Sequence, residues 1–410
     1  MLMKPFDAVW FYAEKPDAPA HFAPLMILSR PEGAPEDYIN QFVEQWRSCK
    51  QFAPPFNYVL NRKRVPTWDV LPSHKIDLDH HFRHSALPAP GGERELGILI
   101  SRLHSHKLDR RRPLWECHVI EGLENNRFAI YLKLHHGQMD GVGAARLMSR
   151  VFSADPNTRN ILPPWSIGMQ TGARKRLPIP KPSLYSDIRK TFETFSAVGK
   201  ELRGLAKEAY IDRKEEVAAP YQAPMTIFNG RVSGQRRIAT QHYKLARLKK
   251  VAKASDSTVN DIFLTMASIS IARYLKERST LPEEPLIAQV PVSVRAAEDS
   301  SVGNSIAFIY VRLATHLEGP LECLEFVRRS VSAGKARQKS LPTEAVSPFT
   351  MLLAGAFMGQ VIMGVTGKVK PAVNLVASNV PGPPVRMYFN GAQVEQIYGP
   401  SVLFHGQALN

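Results

Sequence analysis

Two adjacent histidines, an aspartate and two glycines stand between a predicted strand and a predicted helix. Residues 127–133 are rich in aromatic and β-branched side chains, as strands are, whereas residues 144–150 have the composition of a helix. Such a junction lies at the edge of a sheet and exposes its side chains to a crevice. The stretch from Leu134 to Gly143 therefore favours an α/β fold and is the candidate site.

The residue types in this stretch suit proton transfer. A histidine can take a proton from a hydroxyl or an amine near neutral pH, because its unperturbed pKa lies there. Asp140 follows four residues after His136, and the turn is expected to constrain it too strongly for a triad. We expect its carboxylate to hold the loop by pairing with a distant cation. The glycines of the stretch allow the sharp bend and the close approach of a substrate.

The chain carries a large positive charge for a globular protein. It has 410 residues, of which 44% are hydrophobic and 22% are charged, and its formal net charge is +16. The length predicts two domains. The charge predicts attraction to nucleic acid, to an acidic membrane surface or to a phosphorylated substrate, unless it belongs to a solvated surface. No basic motif interleaved with aromatic residues supports nucleic-acid binding.

Cysteine and histidine spacing predicts neither a disulfide framework nor a metal site. Cys49, Cys117 and Cys323 are far apart, which fits a reducing compartment. The histidines within residues 80–84 lack the ligand spacing of a zinc site. The N-terminus does not have the pattern of a signal peptide. The apolar window 349–365 is short and interrupted, and it predicts a buried or interface-lying helix before a membrane span.

Composition divides the chain into three parts. Residues 1–162 form an N-terminal domain with the histidine motif, and residues 221–410 form a C-terminal domain. Residues 163–220 contain interspersed prolines and basic residues followed by a long polar helix, which predicts a linker. That helix, about residues 185–216, is a candidate for lying on a membrane or for bridging the domains. Both halves predict mixed α/β structure without a fixed-period repeat.

Hydrophobic periodicity predicts most of the individual elements. The predicted helices are residues 36–50, 93–107, 185–216, 245–254, 259–277 and 321–338. The predicted strands are residues 117–121, 128–134, 287–295, 305–313 and 374–378. The strand at 287–295 has few polar residues, so it is predicted to be central in its sheet.

The candidate site matches a known signature. His135-His136-Gly137-Gln138-Met139-Asp140-Gly141 fits HHxxxDG, which resembles the superfamily of chloramphenicol acetyltransferase and peptide-synthetase condensation domains. Further blocks are similar to the bacterial wax ester synthase/acyl-CoA:diacylglycerol acyltransferase family and follow its order. They are Pro113-Leu114-Trp115-Glu116, Thr258-Val259-Asn260-Asp261, Pro291-Val292-Ser293-Val294-Arg295 with Gly303-Asn304, and Ser378-Asn379-Val380-Pro381-Gly382-Pro383.

The resemblance implies a fold and a reaction. The fold is α/β, with two chloramphenicol-acetyltransferase-like domains, mixed sheets flanked by helices and an active-site channel between them. The reaction transfers a long-chain acyl group from acyl-CoA to a fatty alcohol, giving a wax ester, or to diacylglycerol, giving triacylglycerol. Acyl-CoA is a co-substrate, and no cofactor or metal is expected because the thioester is already activated.

The resemblance also implies roles for individual residues. His136 is the expected general base, while His135 is either catalytic or structural. Asn260 is the candidate donor to the oxyanion. Asp140 is counted with the catalytic residues and also supports the site by pairing with Arg295, and Gly141 is a second structural support. The candidates for binding substrate or CoA are Trp115, Asn260, Asp261, Ser378 and Asn379. Packing is the alternative role for Trp115, and helix capping is the alternative for Asn260 and Asp261.

The sequence leaves two other functions open. One is a carrier-dependent acyltransferase of the same superfamily, and the other is a non-catalytic protein that binds lipid surfaces. The expected partners are acyl-CoA, a fatty alcohol or diacylglycerol, and a membrane or lipid-droplet surface, with no nucleic acid. The expected location is the cytoplasm, peripherally on the inner membrane or on lipid inclusions. The sequence does not rank the fatty alcohol against diacylglycerol.

The C-terminal end departs from the resemblance. The chain stops at Asn410, within what resembles the closing region of the family. Members of the family usually continue into further strands and a last helix. The expectation is therefore that the C-terminal domain lacks its final elements, which would leave sheet edges and apolar surface uncovered.

Overall fold

The chain forms two compact units. The structure is a computed structural model that describes residues 3, 5–61, 66–169, 184–293, 306–380 and 382–410. Unit 1 comprises residues 1–175, 233–240 and 381–402. Unit 2 comprises residues 176–232, 241–380 and 403–410.

The helices and strands have the following bounds. The helices are α1 (Pro5–Ala13), α2 (Tyr38–Ser48), α3 (Leu78–His81), α4 (Glu93–Ser105), α5 (Gly141–Val151), α6 (Pro164–Ile167), α7 (Leu184–Ala206), α8 (Leu245–Ala254), α9 (Val259–Glu277), α10 (Pro320–Ser340) and α11 (Thr343–Met363). The strands are β1 (His21–Phe22), β2 (Leu25–Ser29), β3 (Tyr58–Asn61), β4 (Thr67–Val70), β5 (Phe82–Ala86), β6 (Trp115–Leu123), β7 (Arg127–His135), β8 (Ile287–Ser293), β9 (Ile306–Arg312), β10 (Leu375–Val376), β11 (Tyr388–Phe389) and β12 (Ala392–Tyr398).

Unit 1 is built on a mixed sheet. In the described part of the chain the strand order is β11-β12-β2-β7-β6-β5, and β1 also pairs with β7. Only the β5–β6 pair is parallel, and the other pairs in this sheet are antiparallel. The late strands β11 and β12 thus complete a sheet whose other strands come from the first 135 residues. A separate hairpin joins β3 to β4.

Strand β7 is buried on both faces of this sheet. Phe128 and Ile130 belong to the aromatic core that also contains residues of α2 and α5. Ala129 and Tyr131 belong to a second core with residues of α4. Side chains alternate between the faces of a strand, so a strand covered on both sides is apolar throughout. His135 ends this strand, and the histidine motif therefore starts at a rigid, buried position.

Unit 2 has a three-stranded mixed sheet with helices on both faces. Strand β8 lies between β9, which is antiparallel to it, and β10, which is parallel. One face packs on residues of α9 and α10, and the other packs on residues of α7 and α11. The predicted mixed α/β architecture, with sheets flanked by helices, is therefore confirmed, as is the central position of the strand beginning at Ile287.

Most predicted elements are confirmed, and the differences are local. The helices 245–254 and 259–277 have the predicted bounds. The strand predicted at 374–378 shrinks to Leu375–Val376, because only these residues pair with β8. The long helix predicted to extend to residue 216 is α-helical only as far as Ala206. A π-helical turn follows it over Lys207–Ile211.

Helix α11 has two different faces. Phe349, Leu353 and Phe357 are buried, whereas Met351 and Ile362 are 52% and 45% exposed. By length and apolar composition α11 is the one helix among those described that could cross a membrane, but a core helix of a soluble protein passes the same test. The half-buried helix agrees with the prediction of a buried or interface-lying segment in this region.

Candidate active site

The histidine motif occupies the turn between β7 and α5. Asp140 is the N-cap of α5, and its Oδ1 accepts a hydrogen bond of 2.6 Å from the backbone N–H of Gly143. A cap of this kind satisfies a free amide at the helix start. Asp140 therefore shapes the turn locally. Its predicted partner Arg295 lies outside the described residues, so that ion pair stays a prediction.

His136 is half-buried and held from two sides. Its backbone N–H donates to the carbonyl of Ala20 at 2.8 Å, and its ring stacks on Trp10 with centroids 3.8 Å apart. Its Nδ1 is buried and has no hydrogen-bond partner among the described residues. Burial lowers the pKa of the imidazole to about 4, against a smaller opposing effect of Asp140. The ring is therefore neutral at physiological pH, as a general base must be.

His135 is completely buried on the other side of the turn. Its Nδ1 accepts a hydrogen bond of 3.0 Å from the backbone N–H of Gly137, so the proton of the neutral ring lies on Nε2. The ring stacks on Phe11 with centroids 4.3 Å apart. Its Nε2 lies 3.7 Å from Oε1 of Glu14. These contacts indicate an architectural role for His135.

The glycines of the motif have different requirements. A β-carbon added at Gly137 would lie 2.4 Å from Cε2 of Phe11 and 2.9 Å from the carbonyl oxygen of Asp7, so any side chain would displace α1. At Gly141 no atom of the described chain lies within 4 Å of such a carbon. The close packing of the turn against α1 therefore requires a glycine at position 137. The space around Gly141 would accept a side chain, so the predicted supporting role of Gly141 is not explained by close packing.

Trp115 lies inside unit 1. Its side chain is fully buried, and Nε1 donates a hydrogen bond of 2.9 Å to the carbonyl of Phe56. His81 and Trp165 stack on it, with centroids 4.4 Å and 5.4 Å away. This environment favours the packing role for Trp115 over the substrate-binding role.

The other predicted site residues lie in unit 2. Asp261 forms a capping box at the start of α9, where its Oδ2 accepts from the backbone N–H of Thr258 at 2.9 Å and from its hydroxyl at 2.7 Å. Asn260 is half-buried in the same helical turn. Ser378 and Asn379 are exposed immediately after β10. Asp261 thus caps the helix through Oδ2, and the binding roles of all four residues stay predictions.

Sequence reasoning missed Glu14. This carboxylate follows α1, its side chain is 1% exposed, and it faces His135, Arg110 and Lys107. The signal in the sequence is weak, since Glu14 is one acidic residue after an aromatic helix. A buried carboxylate needs cationic and hydrogen-bonding partners, and those partners are distant in the chain. Among the described residues no group of three or more His, Cys, Asp or Glu side chains could hold a metal ion.

The fold and the motif define a class. A mixed α/β chain with HHxxxDG at the end of a buried strand has a fold similar to that of condensation domains. The first condensation domain of the calcium-dependent antibiotic synthetase matches with a TM-score of 0.54 and 15% identity, over 99% of this chain and 85% of that chain. At this identity the match shows the fold alone.

The family follows from closer matches. The family model for the wax ester synthase/diacylglycerol acyltransferase catalytic domain matches residues 3–263, and the model for the C-terminal domain of the same family matches residues 302–410. The chain therefore belongs to the wax ester synthase/diacylglycerol acyltransferase family and is an O-acyltransferase by class.

Full-length relatives agree with this assignment. The O-acyltransferase WSD of Acinetobacter baylyi is 40% identical over 100% of this chain and 88% of its own length. The probable diacylglycerol O-acyltransferase tgs2 of Mycobacterium tuberculosis is 36% identical over 100% of this chain and 90% of its own. The structure of wax ester synthase/diacylglycerol acyltransferase from Marinobacter aquaeolei VT8 matches with a TM-score of 0.75 and 32% identity, over 99% of this chain and 88% of that chain.

Proposed function

We propose that this chain transfers a long-chain acyl group from acyl-CoA to the hydroxyl of a fatty alcohol or a diacylglycerol, with His136 as the general base. The observation that carries the proposal is the state of His136. Its ring is neutral, half-buried and stacked, and its Nδ1 has no hydrogen-bond partner among the described residues. Family membership supplies the class of reaction.

The proposed step needs only one proton carrier. The acceptor hydroxyl gives its proton to the imidazole of His136 as its oxygen attacks the thioester carbon. The tetrahedral oxyanion then collapses, the C–S bond breaks, and the CoA thiolate takes the proton back from the imidazolium. No further cofactor enters, because the thioester is already activated. Asn260 remains our candidate for the hydrogen bond to the oxyanion, and Arg295 for the partner of Asp140.

The exposed face of α11 supports a long-chain substrate. Met351, Leu352, Ile362 and Met363 are 52%, 54%, 45% and 70% exposed. These positions share one side of a helix with 3.6 residues per turn, and Gly355 lies between them with open space around it. An uncharged apolar surface with flexible methionines suits an acyl chain. We propose that α11 contributes to the chain-binding surface.

An acceptor screen tests the proposed function. Purified protein with palmitoyl-CoA should form an ester with hexadecanol, with dipalmitoylglycerol or with both, and the ratio of the two rates would give the preference that the sequence leaves open. The products are separated by thin-layer chromatography, with free-thiol release as a second readout. The same acyl group on an acyl carrier protein is the matched control donor. Absence of ester with both acceptors, or turnover only with the carrier-bound donor, would overturn the proposal.

We also propose that the protein works in the cytoplasm at the surface of the inner membrane or of lipid inclusions. Its substrates partition into lipid, and the net charge of +16 favours anionic surfaces. Helix α8 supports this proposal within unit 2. It presents exposed Lys249, Lys250 and Lys253, and residues 244–254 contain no acidic residue.

Sedimentation with vesicles tests the membrane proposal. Vesicles containing phosphatidylglycerol should sediment most of the protein at low salt, and pure phosphatidylcholine vesicles should sediment much less, because the attraction is electrostatic. Replacing Lys249, Lys250 and Lys253 with glutamine should reduce binding. The matched control replaces Arg273 and Lys276, which already pair with Glu277 and Glu318. Equal binding to both vesicle types, or no binding to either, would contradict the proposal.

A further inference from the structure

Glu14 is a buried carboxylate beside the histidine motif. Its Oε2 accepts from Arg110 Nε at 2.5 Å and lies 3.5 Å from Lys107 Nζ. Burial alone would raise the pKa of this carboxyl, but His135, Arg110 and Lys107 together lower it to about 2. Glu14 is therefore ionised at neutral pH.

The other oxygen of Glu14 faces the motif. Oε1 accepts a hydrogen bond of 3.1 Å from the backbone N–H of Ala20 and lies 3.7 Å from His135 Nε2. The distance to His135 is an electrostatic contact rather than a hydrogen bond. Since Nε2 has no hydrogen-bond partner among the described residues, the carboxylate is the negative charge that its proton faces.

Two routes connect this oxygen to His136. Along the first, the negative charge of Glu14 favours the His135 tautomer with the proton on Nε2. The Nδ1 atom of His135 can then accept the hydrogen bond from the backbone N–H of Gly137, the residue after His136. Along the second, Ala20 donates its N–H to Glu14 and accepts at its carbonyl the N–H of His136 at 2.8 Å. Both routes hold the backbone on which the His136 side chain stands.

We infer that Glu14 is a positioning residue for acyl transfer, whose carboxylate fixes the tautomer of His135 and anchors Ala20, and so holds the turn that presents His136. This inference rests on the proposed function of His136. Glu14 touches neither the substrate nor the reacting atoms in this account. Its effect should therefore appear in the chemical step rather than in substrate binding, because binding uses other surfaces.

A matched pair of variants tests the inference. Glu14→Gln keeps the shape of the side chain but removes the charge. The control is Glu116→Gln in the same unit, because Glu116 is largely buried, with its side chain 13% exposed, and its Oε2 lies 3.4 Å from Lys133 Nζ and 3.5 Å from His118 Nε2. Burial would raise the pKa of Glu116, but these partners lower it to about 2. The control therefore reproduces the loss of a comparable ion pair that includes neither His135 nor His136.

We expect Glu14→Gln to lower kcat by about 10- to 100-fold with KM changed by less than about threefold, as for supporting residues that orient a functional histidine. Both variants should lower the melting temperature, and by similar amounts. Glu116→Gln should nevertheless leave kcat within about threefold of the wild-type value. The inference is wrong if both variants lose kcat equally or if Glu14→Gln keeps the wild-type kcat. If Glu14→Gln does not fold, Glu14→Asp replaces it in the test. The aspartate side chain is one methylene shorter, so its carboxylate lies farther from His135 and Ala20, and we expect the same loss of kcat.

A spectroscopic readout separates positioning from stability. In protein with ¹⁵N-labelled histidine, the His135 ring should show its proton on Nε2, with the signal assigned by its loss in His135→Gln. In Glu14→Gln we expect a mixture of the two tautomers, and in Glu116→Gln no change. If the wild type forms no ester at all, the proposed function fails, and this spectrum still decides the inference. An unchanged His135 tautomer in Glu14→Gln would then overturn it.

Discussion

Replacing His136 with alanine is expected to lower kcat for ester formation by about 10²- to 10⁴-fold, which is the contribution of a general base. The imidazole is neutral because burial lowers its pKa to about 4, and the variant has no other base at this position. Initial rates with palmitoyl-CoA and hexadecanol measure the effect. Thermal unfolding should show a small change, since the ring is only half-buried.

The matched control for this experiment is His136→Phe. Phenylalanine keeps a flat ring against Trp10, whose centroid lies 3.8 Å from that of His136, but it cannot accept a proton. We expect it to be as inactive as the alanine variant, and a kcat within about tenfold of wild type would rule out the general-base role. Because the lowered pKa keeps His136 neutral, wild-type kcat/KM should also stay constant from about pH 8 to about pH 6.

Through His81 and His104 alone, acidification from about pH 7 to about pH 5 is expected to lower the free energy of unfolding by about 4 kcal/mol, and His136, whose pKa burial also lowers, adds to this loss. Burial lowers the pKa of both His81 and His104 to about 4 in the folded protein, from 6.5 in the unfolded chain. The unfolded state therefore binds more protons, so stability is present above pH 6.5 and is lost as the pH falls toward 4. Each histidine contributes about 2 kcal/mol over this interval. Urea unfolding at a series of pH values and constant ionic strength measures the loss.

A single substitution checks the cause of the acid sensitivity. His81→Phe keeps the ring that stacks on Trp115 but removes the titrating nitrogen and its 2.7 Å hydrogen bond to the carbonyl of Trp115. The variant should be less stable at neutral pH, yet its stability should fall by about 2 kcal/mol less than wild type over the same interval. Parallel curves for the two proteins would show that His81 does not contribute.

Elements that depend on neighbouring residues could be predicted from the sequence. Helix α9 has the predicted bounds because Thr258 and Asp261 form its capping box from residues three apart. The strand before the motif was predicted because its aromatic and β-branched residues favour strand geometry whatever it pairs with. The position of His136 directly after that strand follows from the same local pattern.

Elements that depend on distant partners could not be predicted in this way. Strand β12 completes the sheet of unit 1 by pairing with β2, and β11 pairs in turn with β12, although more than 350 residues separate both strands from β2 in the chain. Strand β12 carries several polar residues and has no hydrophobic run that would indicate its partner. Trp115 is similar, since only its neighbours Phe56, His81 and Trp165 show that it is a core residue.

The sequence by itself determined the family, the motif and the residue that we propose as the base, because these depend on residue types at short and fixed spacing. The tertiary structure alone decided how the motif is supported. Glu14 is 96 residues from Arg110 and 121 residues from His135, and neither partner is visible in the local sequence. A carboxylate is buried at low cost only where the folded chain supplies cations and N–H donors around it, and that environment exists only after folding.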